Sequence, residues 1–200
     1  IIAKQMGVPY DSRTYKEALE DLSDSGVEAY PNILPRQHLI DNDKIIFNLG
    51  GISNITTFLT NESGYYPIVE TDEHGFNNPK GLYKENKVDI ILTGDSYTEG
   101  FSVHSNETIS AVLRQLDFNA ISVGKAGNGP LVEFAALKEY AEPLEPKIVV
   151  WICHPNDITD ISGPPDLGMD LRSSLLRKYL NEKDFFITEK VYFIFSKVEK

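Results

Sequence analysis

Two hundred residues, 41% of them hydrophobic and 10% aromatic, suffice for one buried core with a small appendage. Nineteen basic against thirty acidic side chains give a net charge of −11 with no Lys/Arg cluster, which sets nucleic acid aside as a partner. The longest apolar runs, such as Ile148 to Cys153 and Val191 to Phe195, are far shorter than the roughly 20 residues of a membrane span.

The single Cys153 excludes an internal disulfide, leaves the redox compartment open, and reads as a small apolar strand residue. The chain opens on Ile1 without a basic-then-apolar signal segment, so it reads as a fragment. Localisation is therefore undetermined; a signal or anchor ahead of Ile1 would place the protein outside the cytoplasm. Short sequons at Asn54, Asn61 and Asn106 carry no argument, because such patterns arise by chance.

Tyr15, Ala18, Leu19 and Leu22 recur at helical spacing, with Asp11 or Ser12 as N-cap and Gly26 as the stop. After a stretch containing Pro31 and Pro35, Ile55 to Thr60 and Tyr65 to Glu70 are β-rich and flank Asn-Glu-Ser-Gly, which reads as a hairpin. Residues 1–86 thus form an accessory α+β segment, and the Gly/Asn/Pro-rich run Gly75 to Gly81 reads as the link onward.

From Val88 the pattern changes. VDIILT, AISV and KIVVWIC are short apolar strands; Ile109, Val112, Leu113 and Leu116 mark one intervening helix, and Leu131 to Tyr140 another. Strands apolar on both faces and joined by helices predict a parallel sheet with flanking helices, an α/β fold class with right-handed crossovers. No internal repeat or low-complexity tract interrupts it.

Ligands of open parallel sheets bind outside the carboxyl ends of the strands. The three loops there are Gly94-Asp95-Ser96-Tyr97-Thr98-Glu99-Gly100, Gly124-Lys125-Ala126-Gly127-Asn128-Gly129-Pro130, and His154-Pro155-Asn156-Asp157. A serine at such an end can attack a carbonyl if donors stabilise the oxyanion. The backbone N–H of Ser96, the N–H of Gly127 and the side-chain amide of Asn156 would supply three. Taken singly, Ser96 reads as a helix cap, Gly127 as a turn glycine and Asn156 as an Asx-turn residue. Their order at three consecutive strand ends is what favours the acyl-transfer reading.

These blocks resemble the SGNH (GDSL) hydrolase superfamily: GDSYTEG its first block, GKAGNGP its glycine block, and HPND its G-x-N-D block. The resemblance covers residues 88 to about 160. It implies a flavodoxin-like three-layer fold, Ser96 as nucleophile, and Gly127 and Asn156 completing the oxyanion hole. It also implies small acyl-ester substrates, often acyl groups on carbohydrate or lipid. Asp95, His154 and Asp157 lie in the same loops, and His154 stands where the family has glycine.

The family's base comes from a later Asp-x-x-His, and no histidine follows His154. Of the four histidines, His38 and His74 fall in the accessory segment and His104 would need its loop to fold back. His154 sits at the correct end of the sheet but on the loop of the oxyanion Asn. The base is therefore expected outside the 200 residues. Residues 171–180 (Leu171, Leu175, Leu176, Tyr179) supply one more helix and VYFIFS one more strand. The domain over 87–200 thus reads as an incomplete portion whose unfinished sheet exposes an apolar edge.

GKAGNG lacks the P-loop spacing, and the nucleophile loop has no G-x-S-x-G elbow. Asp157, Asp160, Asp166 and Asp170 form an acidic stretch without metal-ligand spacing, so no metal or cofactor is implied. The readings left open are a serine esterase or deacylase, an O-acyltransferase using the same nucleophile, and a binding module that keeps the cleft without the base.

Overall fold

The computed structural model describes residues 9–34, 38–41, 44–84, 88–154 and 191–195. Asn156, Asp157, the acidic stretch and the helix expected over 171–180 lie outside the described residues.

Helix α1 (Tyr15–Asp24) begins at Thr14, not at Asp11 or Ser12. Asp11 is held by the Arg13 guanidinium, while Thr14 and Glu17 form a reciprocal capping box that satisfies two of the helix's orphan donors. Ala18 is buried, and the Tyr15 ring packs on Phe58 at 4.4 Å while its hydroxyl donates to the Phe58 carbonyl. Gly26 follows the helix at φ +83.

Strands β1 (Ala29–Pro31), β4 (Thr56–Phe58) and β5 (Ile68–Glu70) form a sheet in the order β1-β4-β5. The β4–β5 pair is antiparallel, the hairpin expected from the sequence, with Thr57 opposite Val69. A second hairpin, β2 (His38–Asp41) with β3 (Lys44–Phe47), was not foreseen. The sequence there reads as the continuation of a stretch broken by Pro31 and Pro35, without a Gly-rich turn between two β-rich runs.

The second half carries a four-stranded parallel sheet, β6 (Ile90–Gly94), β7 (Ala120–Ser122), β8 (Ile148–Cys153) and β9 (Val191–Phe195), in the order β7-β6-β8-β9. Short helices α2 (Ser96–Glu99), α3 (Ile109–Gln115) and α4 (Pro130–Ala136) connect its strands, and a π-helical turn, Leu137–Ala141, prolongs α4. The fold is mixed α/β. β6 alternates between two cores: Ile91 joins Ile121, Val132, Ala135 and Ala136, whereas Ile90 and Leu92 join Ala120, Ile152 and Leu113.

Two details differ from the sequence reading. On α3 it is Ser110 and Ala111 that are buried, and of the stripe read as its apolar face only Leu113 packs inward. Ile109, Val112 and Leu116 are 42%, 44% and 62% exposed. The run Gly75 to Gly81 is not merely a connector, since Phe76, Asn77 and Asn78 are all buried. Phe76 and Leu49 share the core of Ile91 and Ile121.

Candidate functional site

The strand order places β7 and β8, which follow β6 in turn, on opposite sides of it. The strand order thus reverses at β6, which opens a crevice at its carboxyl end, the usual ligand site of such sheets. Ser96 is the second residue beyond that end.

The loop that carries Ser96 is built by tight packing. Gly94 has φ +150, and a Cβ there would lie 2.2 Å from Thr98 Oγ1 and 2.5 Å from the Ile152 carbonyl. Only glycine fits. Asp95 is buried and its carboxylate accepts from the Tyr97 N–H, which starts α2 at Ser96. Ser96 itself is half-buried, and Gly100 closes the helix with φ +74. The Ser122 hydroxyl donates to the Thr98 carbonyl, and Asn77 Nδ2 donates to that of Glu99. The last turn of α2 is thereby fixed from two sides.

Beyond β7 the chain makes a β-turn over Lys125–Asn128, closed by the Asn128 N–H donating to the Lys125 carbonyl at 3.1 Å. Gly127 is its third residue and has φ +81, the value a type II turn requires there. The turn's own hydrogen bond is made by the Asn128 N–H and does not involve the Gly127 N–H. The Lys125 N–H donates to the carbonyl of Gly94, so the turn is anchored to the end of β6, two residues before Ser96. Glu99 anchors it a second time: Oε2 accepts from the Ala126 N–H at 2.7 Å, and Oε1 meets Lys125 Nζ at 2.5 Å. Both side chains are 2% exposed, and Nζ also donates to Asn32 Oδ1 at 2.8 Å. Thus the loops of Ser96 and Gly127 are brought side by side.

Asn128 is buried beside this turn, and neither atom of its side-chain amide has a hydrogen-bond partner. His154, the first residue after β8, stacks its ring on Tyr97 at 5.2 Å with 19° between planes. His104 stacks instead on Tyr65, and His74 packs against Tyr83 and Tyr140. Of the histidines whose side chains are described, His154 alone contacts the residue next to Ser96.

An open cavity of ≈ 420 Å³ adjoins Ser96, walled by Tyr97, Val103 and Ile109 and by Glu62 and Glu107. Glu62 comes from the β4–β5 hairpin and accepts from the Ser102 hydroxyl at 2.6 Å. The early segment therefore supplies one wall. Among the described residues no cluster of His, Cys, Asp and Glu could hold a metal ion, and no helix is long and apolar enough to cross a membrane.

Sequence reasoning missed Glu99, Lys125, Asn128 and Glu62. The first two left a faint signal, opposite charges within two otherwise small and polar loops. The burial of Asn128 and the approach of Glu62 depend on tertiary packing and left none. No protein-family model, no curated protein and no solved structure matches the chain.

Proposed function

We propose that the protein is a serine ester hydrolase of SGNH type, with the three-layer arrangement of that superfamily. Its substrate is a small acyl ester, with the acyl group carried on carbohydrate or lipid. A base withdraws the proton from Ser96 Oγ, which attacks the acyl carbon. The tetrahedral oxyanion receives hydrogen bonds from the Ser96 and Gly127 N–H groups and from the side-chain amide of Asn156. Collapse expels the alcohol, which takes up the proton, and a water molecule then releases the acyl group from Ser96.

The observation that carries this reading is the hold of Glu99 on the Ala126 N–H, because it keeps the adjoining Gly127 beside the helix that Ser96 opens. A preorganised donor of this kind costs no rearrangement when charge develops. His154 is the histidine to mutate first, because its ring stacks on Tyr97, the neighbour of Ser96.

The test is hydrolysis of p-nitrophenyl acetate by the wild-type protein and by S96A, H154Q and N156A. The reading requires that S96A be inactive and that N156A lose roughly 10²–10³ in rate. If residues 1–200 turn over only near background, the comparison is repeated with the chain carrying an Asp-x-x-His segment, since general-base help is typically worth about 10²–10⁴. Wild-type rates in S96A contradict the assignment, and a form that binds esters without turnover in either case is a binding module.

A further inference from the structure

We infer that Glu99 and Lys125, backed by Asn32, are positioning residues that hold the Gly127 amide at a fixed distance from Ser96. This inference rests on the hydrolase reading above.

Burying two charges is costly, and for stability alone an apolar pair of similar volume serves as well or better. What the pair adds is direction. Each carboxylate oxygen of Glu99 has its own donor, Oε1 the Lys125 ammonium and Oε2 the Ala126 N–H, so the carboxylate plane is fixed. Glu99 lies one helical turn after Ser96, and Ala126 directly precedes Gly127. A displacement of either element is therefore a displacement of nucleophile relative to oxyanion donor. Such a fixture is needed because Gly127, at φ +81 and without a Cβ, has little steric resistance of its own.

The support continues outward. Lys125 Nζ donates to Asn32 Oδ1, and the Asn32 N–H donates to the Tyr15 hydroxyl, itself bonded to the Phe58 carbonyl. Gly51 closes the enclosure: a Cβ there would lie 3.5 Å from Lys125 Nζ and 2.7 Å from the Gly75 carbonyl. The segment before residue 87 thus buries and orients a lysine that belongs to the loop of Gly127. On this inference that segment is part of the reacting machinery's frame, although none of Asn32, Lys125 or Glu99 touches the substrate.

The test uses the active form of the protein with three variants: N32A, E99Q, and E99Q combined with K125M. E99Q leaves the lysine charge buried without its counter-charge and is the variant at risk of not folding; the double variant removes both charges. The expected result is a fall in kcat of about 10²-fold for the double variant and about 10-fold for N32A, with KM within about 3-fold, because a misplacement on the order of 1 Å costs that much. Amide exchange read by NMR should speed up at Ala126 and Gly127 while Ile91 and Ile121 remain as in the wild type. A folded double variant with wild-type kcat, or with Ala126 and Gly127 as protected as before, overturns the inference. Absence of Ser96-dependent turnover in the wild type defeats the hydrolase reading instead, and leaves the clamp on the turn to be judged by the exchange rates alone.

Discussion

Asn78 and Ser122 share two hydrogen bonds: Asn78 Nδ2 donates to the Ser122 carbonyl at 2.8 Å, and the Ser122 N–H donates to Asn78 Oδ1 at 2.9 Å. The side-chain amide thus satisfies both main-chain groups of β7's last residue, as a neighbouring strand would. Asn78 also donates to Asp72, a fully buried carboxylate that binds the His74 and Phe76 N–H groups. N78A should cost roughly 2–4 kcal/mol, since it strands buried donors and acceptors. Urea unfolding followed by Trp151 fluorescence should show the midpoint falling with the slope unchanged. A loss under about 0.5 kcal/mol would mean that water replaces the amide freely.

Two glycines with positive φ should respond very differently to alanine. Gly26 at φ +83 has nothing within 4 Å of a built Cβ, so G26A meets only backbone strain, on the order of 1 kcal/mol. Gly94 would drive its Cβ into Thr98 and the Ile152 carbonyl. Neither can retreat without moving α2 or β8. G94A should therefore lose more than about 4 kcal/mol, the range reserved for drastic core faults. Thermal melts of the two variants compare them directly, and similar melting temperatures would refute the packing argument.

Glu62 and Glu107 give the cavity beside Ser96 two carboxylates in a protein already at net charge −11. Anionic acyl esters should react more slowly than neutral ones of the same size, by roughly 3–10-fold at low salt, and the gap should narrow at high ionic strength. E62Q should narrow it in the same way. Equal rates for neutral and anionic esters at low salt would show that the substrate does not enter this cavity.

Burial pushes the phenols of Tyr15, Tyr83 and Tyr140 up, and for Tyr83 the neighbouring Asp72 adds to it. A folded-state pKa above the unfolded value of about 10 contributes stability that is fully present below pH 10. Above it only the unfolded state ionises, so that stability is lost as pH rises. The protein should unfold in alkali, and the tyrosinate absorbance of these three residues should appear together with the change in Trp151 fluorescence. Their titration ahead of unfolding would contradict the burial.

Much of this was legible in the sequence where periodicity was strong. The strand VDIILT and the helix at Tyr15 announce themselves because their apolar residues recur with one period and their ends carry turn residues. The inward face of α3 does not show in the sequence, because Ser110 and Ala111 are too small or polar to register as core. The run Gly75 to Gly81 looked like a linker because Gly, Asn and Pro signal loops, yet Asn77 and Asn78 use their amides to bind the main chain of α2 and β7. That the loops of Ser96 and Gly127 follow consecutive strand ends could be read from the pattern of strands alone. The clamp between them could not, because it pairs residues 26 apart whose meeting depends on the crossover through α3.

An activated Ser96 reacts covalently with an electrophile that traps nucleophilic serines. The active form of the protein is treated with an alkyl fluorophosphonate, digested, and the modified peptide identified by mass spectrometry. The expected result is one stoichiometric adduct on Ser96, absent in S96A and formed roughly 10²-fold more slowly when the Glu99–Lys125 pair is neutralised. Labelling on another residue, or undiminished labelling of S96A, would contradict it.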